Sequence, residues 1–345
     1  MQPNSLAADL DHVLTHTSGL WEPLRGQRIF ITGGTGFFGC WLLESFAWAN
    51  QKLKLDASVL VLTRDPEAFA RKAPHLAADP SIRFHKGDVR TFAFPAGAFS
   101  HVIHAATEAS AKLNAENPLL MVDTIVEGTR RTLEFAVGCG AKKLLLTSSG
   151  AVYGNQPLEM THVPEDYVGG PNPLHPASAY GEGKRIAELL CCIYHERKGL
   201  ETKIARCFAF VGPYMPLDAH FAIGNFIRDA LTGGPIRVQG DGTPYRSYLY
   251  ASDLAIWLWT ILLQAPPCRP FNVGSASALP ISALAQKVAG SMPVAKGPPP
   301  KPGTLPTRYV PANDRAREEL GLVERIPLEE GIRRTLMWYA RRPKA

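Results

Sequence analysis

The chain holds 345 residues, 46% hydrophobic and 20% charged, enough for one large or two fused domains and too apolar for wholesale disorder. Its net charge of +6 is modest and its Arg and Lys are scattered, which suits anionic small molecules at least as well as nucleic acid. Six dispersed cysteines offer neither a disulfide framework nor metal-ligand spacing, so no metal is expected and a reducing cytoplasm is the simplest compartment.

In chain order, the first predicted element is a short surface helix over residues 6–16, with Leu6, Leu10, Val13 and Leu14 at helical spacing and Ser5 as its cap. Asp9 and Asp11 in this stretch argue against a secretory signal. From Arg28, short aliphatic runs alternate with longer amphipathic stretches. Strands are predicted at 29–32, 58–63, 82–85, 101–104, 143–147 and 203–207, with helices at 41–50, 118–137 and 178–198. That alternation implies right-handed crossovers and a parallel, doubly wound α/β sheet.

Beyond Arg206 the predicted elements shorten: a helix near 221–231, a strand near 236–238, and helices near 252–263 and 281–289. The proline-rich stretch 293–307 reads as a loop, and helices near 313–320 and 328–340 close the chain. The apolar run Leu254–Leu263, interrupted by Thr260, is about half the ~20 residues a membrane-spanning helix needs, so no membrane segment is expected. Arg333, Arg334, Arg341, Arg342 and Lys344 read as a solvated helix end. The organisation implied is a helical extension over 1–27, a nucleotide-binding domain over 28–207 and a smaller lobe over 208–345.

Directly after the first predicted strand stands Thr32-Gly33-Gly34-Thr35-Gly36-Phe37-Phe38-Gly39, followed by a helix. Gly33 permits a tight turn, Gly36 lets backbone approach a pyrophosphate, and Gly39 lets helix and strand pack closely. Amides at the helix start then meet the negative charge, so a Rossmann-type dinucleotide site is expected. No Gly-Lys-Ser/Thr follows, which excludes a Walker loop. At the end of the second strand Thr63 occupies the position where an acidic residue would hold the adenosine ribose, and Arg64 follows. Arg64 pairing with a 2′-phosphate favours NADP over NAD. In the alternative reading Arg64 stacks on adenine and Asp65 takes a ribose hydroxyl.

Tyr180-Gly181-Glu182-Gly183-Lys184 opens a long predicted helix, and the i, i+4 spacing places Tyr180 and Lys184 on one face. A tyrosine exchanges protons near neutrality only when its ordinary pKa of ~10 is lowered. An adjacent ammonium and the positive ring of an oxidised nicotinamide supply that field. Tyr180 would take a proton from a sugar hydroxyl as hydride leaves its carbon, and Ser149, at a strand end, would donate to the same oxygen. The plain alternative is a solvated helix start.

These segments carry a family resemblance. TGGTGFFG at 32–39, GDVR at 87–90, HAAT at 104–107, SSGAVYG at 148–154, YGEGK at 180–184 and RSYLYASDLA at 246–255 run in order over nearly the whole chain. The chain resembles the extended short-chain dehydrogenase/reductases, in their nucleotide-sugar epimerase, dehydratase and decarboxylase branch. The resemblance implies a Ser149–Tyr180–Lys184 triad and a C-terminal lobe that binds a nucleotide-sugar. It also implies Asp88 and Val89 at the adenine, and Ala105, Ala106 and Thr107 beside the dinucleotide with Gly33, Gly36, Phe37, Phe38 and Gly39. Asn225, Arg246 and Arg308 would grip the substrate diphosphate, and the helices at 118–137 and 178–198 would pair in a homodimer.

One departure bears on the reaction. In the dehydratases of this branch an Asp-Glu pair follows the catalytic Ser/Thr, and the related decarboxylases keep the glutamate, whereas this chain has Gly150 and Ala151. The segment from Pro164 to Glu188 otherwise looks closest to UDP-glucuronate decarboxylases, which reads as shared scaffold. Glu108 and His220 are the candidates for a replacement base. The expected function is C4 epimerisation of a nucleotide-linked hexose through a 4-keto sugar, and the runner-up is NADPH-dependent reduction of a 4-keto nucleotide-sugar. A 4,6-dehydratase stands behind both, and a non-catalytic dinucleotide sensor conflicts with retention of Ser149, Tyr180 and Lys184.

Overall fold

Apolar runs that alternate with amphipathic stretches must bury both faces of a sheet under helices. A computed structural model, describing residues 4–107, 110–219, 221–300 and 302–341, has that arrangement. Six strands form where predicted: β1 Arg28–Thr32, β2 Ser58–Thr63, β3 Ile82–Lys86, β4 His101–His104, β5 Lys143–Ser149 and β6 Glu201–Cys207. A seventh, β7 Pro270–Val273, joins from the C-terminal part. The sheet is parallel throughout, in the order β7-β6-β5-β4-β1-β2-β3. The chain reverses direction of growth between β1 and β4, so a crevice opens outside the carboxyl ends of those strands, where such sheets bind ligands.

The principal helices are α1 Ala7–His16, α2 Phe37–Leu53, α3 Pro118–Gly138, α4 Ala179–Lys198, α5 Ala222–Leu231, α6 Ala251–Gln264, α7 Ile281–Ala289 and α8 Leu328–Ala340. On one face of the sheet α3 and α4 bury Ile125, Leu133, Phe135, Ala187 and Leu190. On the other, α2 and α6 bury Trp41, Phe46, Trp257 and Trp259. The apolar run Leu254–Leu263 is the middle of α6, whose residues from Ala251 to Leu263 are buried on every side. Its Thr260 hydroxyl is satisfied by donating to the Ile256 carbonyl at 2.7 Å. Among the described residues no helix is long and apolar enough to cross a membrane.

Two local expectations are corrected. Ser5 does not cap α1; Leu6 stands at the cap without a side-chain bond, and the Asn4 side-chain Oδ1 accepts from the Leu6 amide at 2.9 Å. The basic C-terminal run is not simply solvated, because Arg334 pairs with Glu330 on its own helix and with Asp9 of α1. Arg342 and Lys344 lie outside the described residues.

After β6 the chain builds a second apolar cluster from Ile223, Phe226, Ile227, Leu284 and Ile332. Three small sheets among the described residues dress it, one of them the pair Phe210–Val211 and Leu249–Tyr250. Ile236–Arg237 pairs with Val294–Ala295, inside the stretch read as loop, and Tyr245–Arg246 lies between Leu279–Pro280 and Arg308–Tyr309. Between these pieces α6 and β7 return to the main sheet, so residues beyond 207 serve both parts of the molecule.

Candidate active site

The loop between β1 and α2 is shaped by what a side chain would strike. Gly33 has φ +73°, and a Cβ there would meet the Ala105 carbonyl oxygen at 2.3 Å. A Cβ on Gly39 would meet Gly34 backbone at 2.3 Å, so the start of α2 lies directly against the loop. Gly36 differs, since its nearest neighbour would be 3.4 Å away. No side chain caps α2 at Gly36, which leaves the first-turn amides to be met by another group. Phe37 and Phe38 are half-buried and pack against the core, Phe38 edge-on to Phe210 at 5.0 Å, and their amides open the helix beside the loop. A cradle bare of side chains at a helix N-terminus fits a dinucleotide pyrophosphate.

From the loop, contacts lead to the predicted acid–base pair. Ala105, which touches Gly33, and Ala106 follow β4 and precede Thr107, whose hydroxyl accepts from Lys184 Nζ at 3.1 Å. Lys184 also donates to the Thr147 carbonyl at 2.8 Å. Burial pulls this lysine down to about 8. Its Nζ lies 5.9 Å from the centre of the Tyr180 ring. The Tyr180 amide donates to Asn114 Oδ1 at 3.0 Å, and Asn114 Nδ2 donates to Ala177, fixing the entry to α4.

Ser149 ends β5 as the strand pattern implies. Its Oγ accepts from the Ala151 amide at 3.1 Å and lies 3.5 Å from the Tyr309 hydroxyl. The expected lowering of Tyr180 by Lys184 is absent here. Burial pushes Tyr180 up to about 12, opposed by hydrogen bonding with Ser149, while the Cys207 thiol adds to the rise. Lysine alone does not outweigh the loss of water around this phenol.

Of the two positions that carry the dehydratase acid–base pair, the first, Gly150, is closed, and the second, Ala151, is partly exposed. A Cβ at Gly150 would meet the Phe208 ring at 2.7 Å and the Tyr309 hydroxyl at 2.8 Å. Phe208 and Tyr309 stack at 4.7 Å, filling that space. Tyr309 was missed in the sequence although it follows Arg308 directly, because its contact with Ser149 spans 160 residues. Asn114 carried no sequence signal.

The remaining expected residues are placed as follows. Arg64 is exposed beyond the end of β2, near enough to influence Asp88. Asp65 caps the following helix through the Ala68 amide at 2.9 Å. Both Asp88 carboxylate oxygens are held by Arg90, at 2.9 and 3.1 Å, which keeps its pKa below the usual carboxylate range. Val89 is buried and packs against Gly128 of α3. In the small sheet Arg246 is registered with Tyr309, and Arg308 with Tyr245. Cross-strand partners share a face and successive residues alternate, so the two arginines lie on opposite faces. Arg246 stands over the Tyr309 ring at 6.0 Å, beside Ser149, whereas Arg308 stacks on Tyr245 at 4.2 Å. Asn225 accepts from Arg228 on its own helix at 3.2 Å. Glu108 and His220 lie outside the described residues.

Comparison with known proteins assigns the family. The model of the NAD dependent epimerase/dehydratase family matches residues 29–274. UDP-glucuronic acid decarboxylase 1 of Arabidopsis thaliana is 32% identical over 317 residues, covering 91% of this chain and 70% of the relative. Its namesake in Danio rerio is 31% identical over 91% of this chain and 73% of its own length. Among solved structures, a UDP-glucose 4-epimerase from Thermus thermophilus complexed with NAD superposes with a TM-score of 0.73 at 26% identity, covering 90% of this chain and 98% of that one. A dTDP-glucose 4,6-dehydratase from Streptomyces venezuelae with NAD bound gives 0.75 at 24%, covering 90% and 96%, a likeness of fold. By sequence over most of its length, this chain belongs to the NAD dependent epimerase/dehydratase family.

Proposed function

We propose that the protein epimerises a nucleotide-linked hexose at C4 through a 4-keto sugar, using Ser149, Tyr180 and Lys184. The observation that carries this reading is the pairing of a complete hydroxyl–phenol–ammonium set with a closed position at Gly150. Such a set supports removal and return of hydride at a carbinol, and a site without an acid–base pair beside it does not support elimination of water. The bound nicotinamide supplies the hydride acceptor and donor. Gly33, Gly36, Gly39, the backbone of Phe37 and Phe38, the segment Ala105–Thr107 and Lys184 would hold it, with Asp88 and Val89 toward the adenine.

In the forward step Tyr180 takes the C4 hydroxyl proton, Ser149 donates to the same oxygen, and Lys184 steadies the resulting charge. Tyr180 starts at about 12, so the positive charge brought by an oxidised coenzyme is needed to make it a base at neutral pH. Arg246, on the face shared with Tyr309, would hold the substrate diphosphate, with Asn225 on the adjoining helix. Arg308 would reach the nucleotide from the other face. Exposed Arg64 at the ribose end favours the 2′-phosphorylated coenzyme. The apolar stripe Ile186, Leu189 and Ile193, exposed along α4, supports pairing of α3 and α4 across a homodimer.

A second reading is favoured by the 32% identity to decarboxylases. A 4-keto sugar bearing a C6 carboxylate is a β-keto acid, which loses carbon dioxide without a base at Gly150 or Ala151. One experiment separates the readings. The purified protein is incubated with UDP-glucose, UDP-N-acetylglucosamine and UDP-glucuronate in turn, and products are resolved by mass and by proton NMR. An isobaric C4 epimer supports the proposal. Loss of carbon dioxide from UDP-glucuronate replaces it with the second reading, and consumption of added NADPH by a 4-keto sugar, without epimer, replaces it with a reductase.

A further inference from the structure

Ser149 can direct only one hydrogen, and its surroundings decide where that hydrogen goes. A serine hydroxyl has one donor and two acceptor sites. The Ala151 amide is a donor only, and at 3.1 Å it takes one acceptor site of Ser149. The Tyr309 hydroxyl stands 3.5 Å away on another side. Tyr309 is held there by the Phe208 ring at 4.7 Å and by Arg246 over its own ring at 6.0 Å. Its backbone is registered with Arg246 in the small sheet.

We propose that Tyr309 is a positioning residue that donates to Ser149, so that both acceptor sites of the serine are filled and its single hydrogen is turned into the crevice, toward Tyr180 before a sugar binds and toward the C4 oxygen once one is bound. This rests on the reading of Tyr180 as the proton-exchanging group and extends it to a residue outside the expected triad. Tyr309 keeps its proton while Tyr180 gives one up, because burial pushes Tyr309 above its ordinary value and charge on Tyr180 pushes it higher. The other groups that bear on Tyr180 are Lys184 on its own helix and the Cys207 thiol at the end of β6, itself pushed up to about 12. Cys207 is registered across the sheet from Ser149, yet its thiol donates to the Ala205 carbonyl, and Lys184 donates to Thr107 and Thr147. The arrangement also links substrate grip to chemistry: Arg246, proposed to hold the diphosphate, stands over the ring whose hydroxyl aligns the serine.

The test needs no sugar. Protein labelled with carbon-13 at the tyrosine Cζ is saturated with NAD, and the Tyr180 signal, assigned by its loss in Tyr180→Phe, is titrated with alkali. Tyr309→Phe, which keeps the ring, should raise the Tyr180 midpoint by about half a unit or more. Ser149→Ala should raise it at least as far, and Tyr309→Phe should add nothing in the Ser149→Ala background. An unchanged midpoint in Tyr309→Phe, or an equal rise in both backgrounds, would overturn the proposal. The Tyr309 signal gives a second readout that needs no substitution at 309. It should move on Ser149→Ala, and a signal that stays in place contradicts the contact. A Tyr180 signal that never titrates defeats the underlying reading and this proposal together, whereas a shift with no turnover of any sugar defeats the substrate assignment alone.

Discussion

Two histidines near the carboxyl and amino ends of β4 show how burial of single groups governs this molecule's response to acid. His104 lies between the hydroxyls of Thr32 at 2.7 Å and Thr129 at 3.1 Å, and burial pulls it down to about 3. His101, also pulled down mainly by burial, sits at about 4. The unfolded chain takes up these protons below about 6.5, while the folded protein does not. Stability therefore falls as pH drops from there toward 4 and below, by roughly 1 kcal/mol per pH unit for each histidine. Urea unfolding near pH 7 and pH 5 should show this slope in the wild type and a shallower one in His104→Gln. Equal slopes would remove the histidine from the account. At the adenosine end, Arg64→Ala should weaken NADP binding roughly tenfold or more and leave NAD nearly unchanged, as read by calorimetry. An equal loss for both would show that Arg64 stacks on adenine instead.

The residue scale also shows what a sequence displays. Ser149, Tyr180 and Lys184 can be proposed from the sequence because each sits at a recognisable place on one element, a strand end or the first two turns of a helix. Tyr309 and Asn114 cannot, since their value lies in contacts across the fold with no local spacing to betray them. Arg246 and Arg308 were grouped by similar motifs, and only the register of three two-residue strands separates their faces.

At the scale of elements, β1, the glycine loop and α2 act as one rigid unit. Gly39→Ala would drive a methyl into Gly34 backbone, so α2 must move away from the loop, at a cost of roughly 1–3 kcal/mol. A lowered thermal midpoint together with lost dinucleotide binding is expected. Gly36→Ala has room in the fold, and it should keep the midpoint while losing affinity roughly tenfold or more, because the methyl stands where the pyrophosphate approaches. If both variants lose stability alike, the division of roles within the loop is wrong. The long strands and helices were legible from periodicity. The four-residue β7, with a proline and an asparagine in a turn-rich region, has too little pattern to stand out. The same holds for the strand Val294–Ala295 inside the proline-rich stretch.

On the scale of the whole molecule, the parallel, doubly wound sheet follows from the alternation of elements, whereas the return of α6 and β7 to the sheet does not. That return ties the C-terminal part to the main sheet, and the small sheet beyond it brings Tyr309 to Ser149 with Arg246 over the Tyr309 ring. The exposed stripe on α4 makes a further prediction. Leu189, 59% exposed, is central to it, and Leu189→Glu should convert a homodimer to a monomer in sedimentation without loss of folding. A wild type that already sediments as a monomer would contradict the proposed pairing.

The claim on which these scales converge is that hydride leaves a sugar carbon for a bound nicotinamide while Tyr180 takes the hydroxyl proton. The measurement follows UDP-glucose carrying deuterium at C4, quenched in acid both within the first turnover and after completion, with coenzyme and sugar weighed by mass spectrometry. In the wild type, deuterium is expected on the reduced coenzyme in the early quench and back on C4 of the epimer at completion, and Tyr180→Phe loaded with the same coenzyme is expected to label neither coenzyme nor epimer. An epimer that has lost its deuterium to solvent, an early quench with no label on the coenzyme, or labelling undiminished in Tyr180→Phe, overturns hydride transfer coupled to Tyr180.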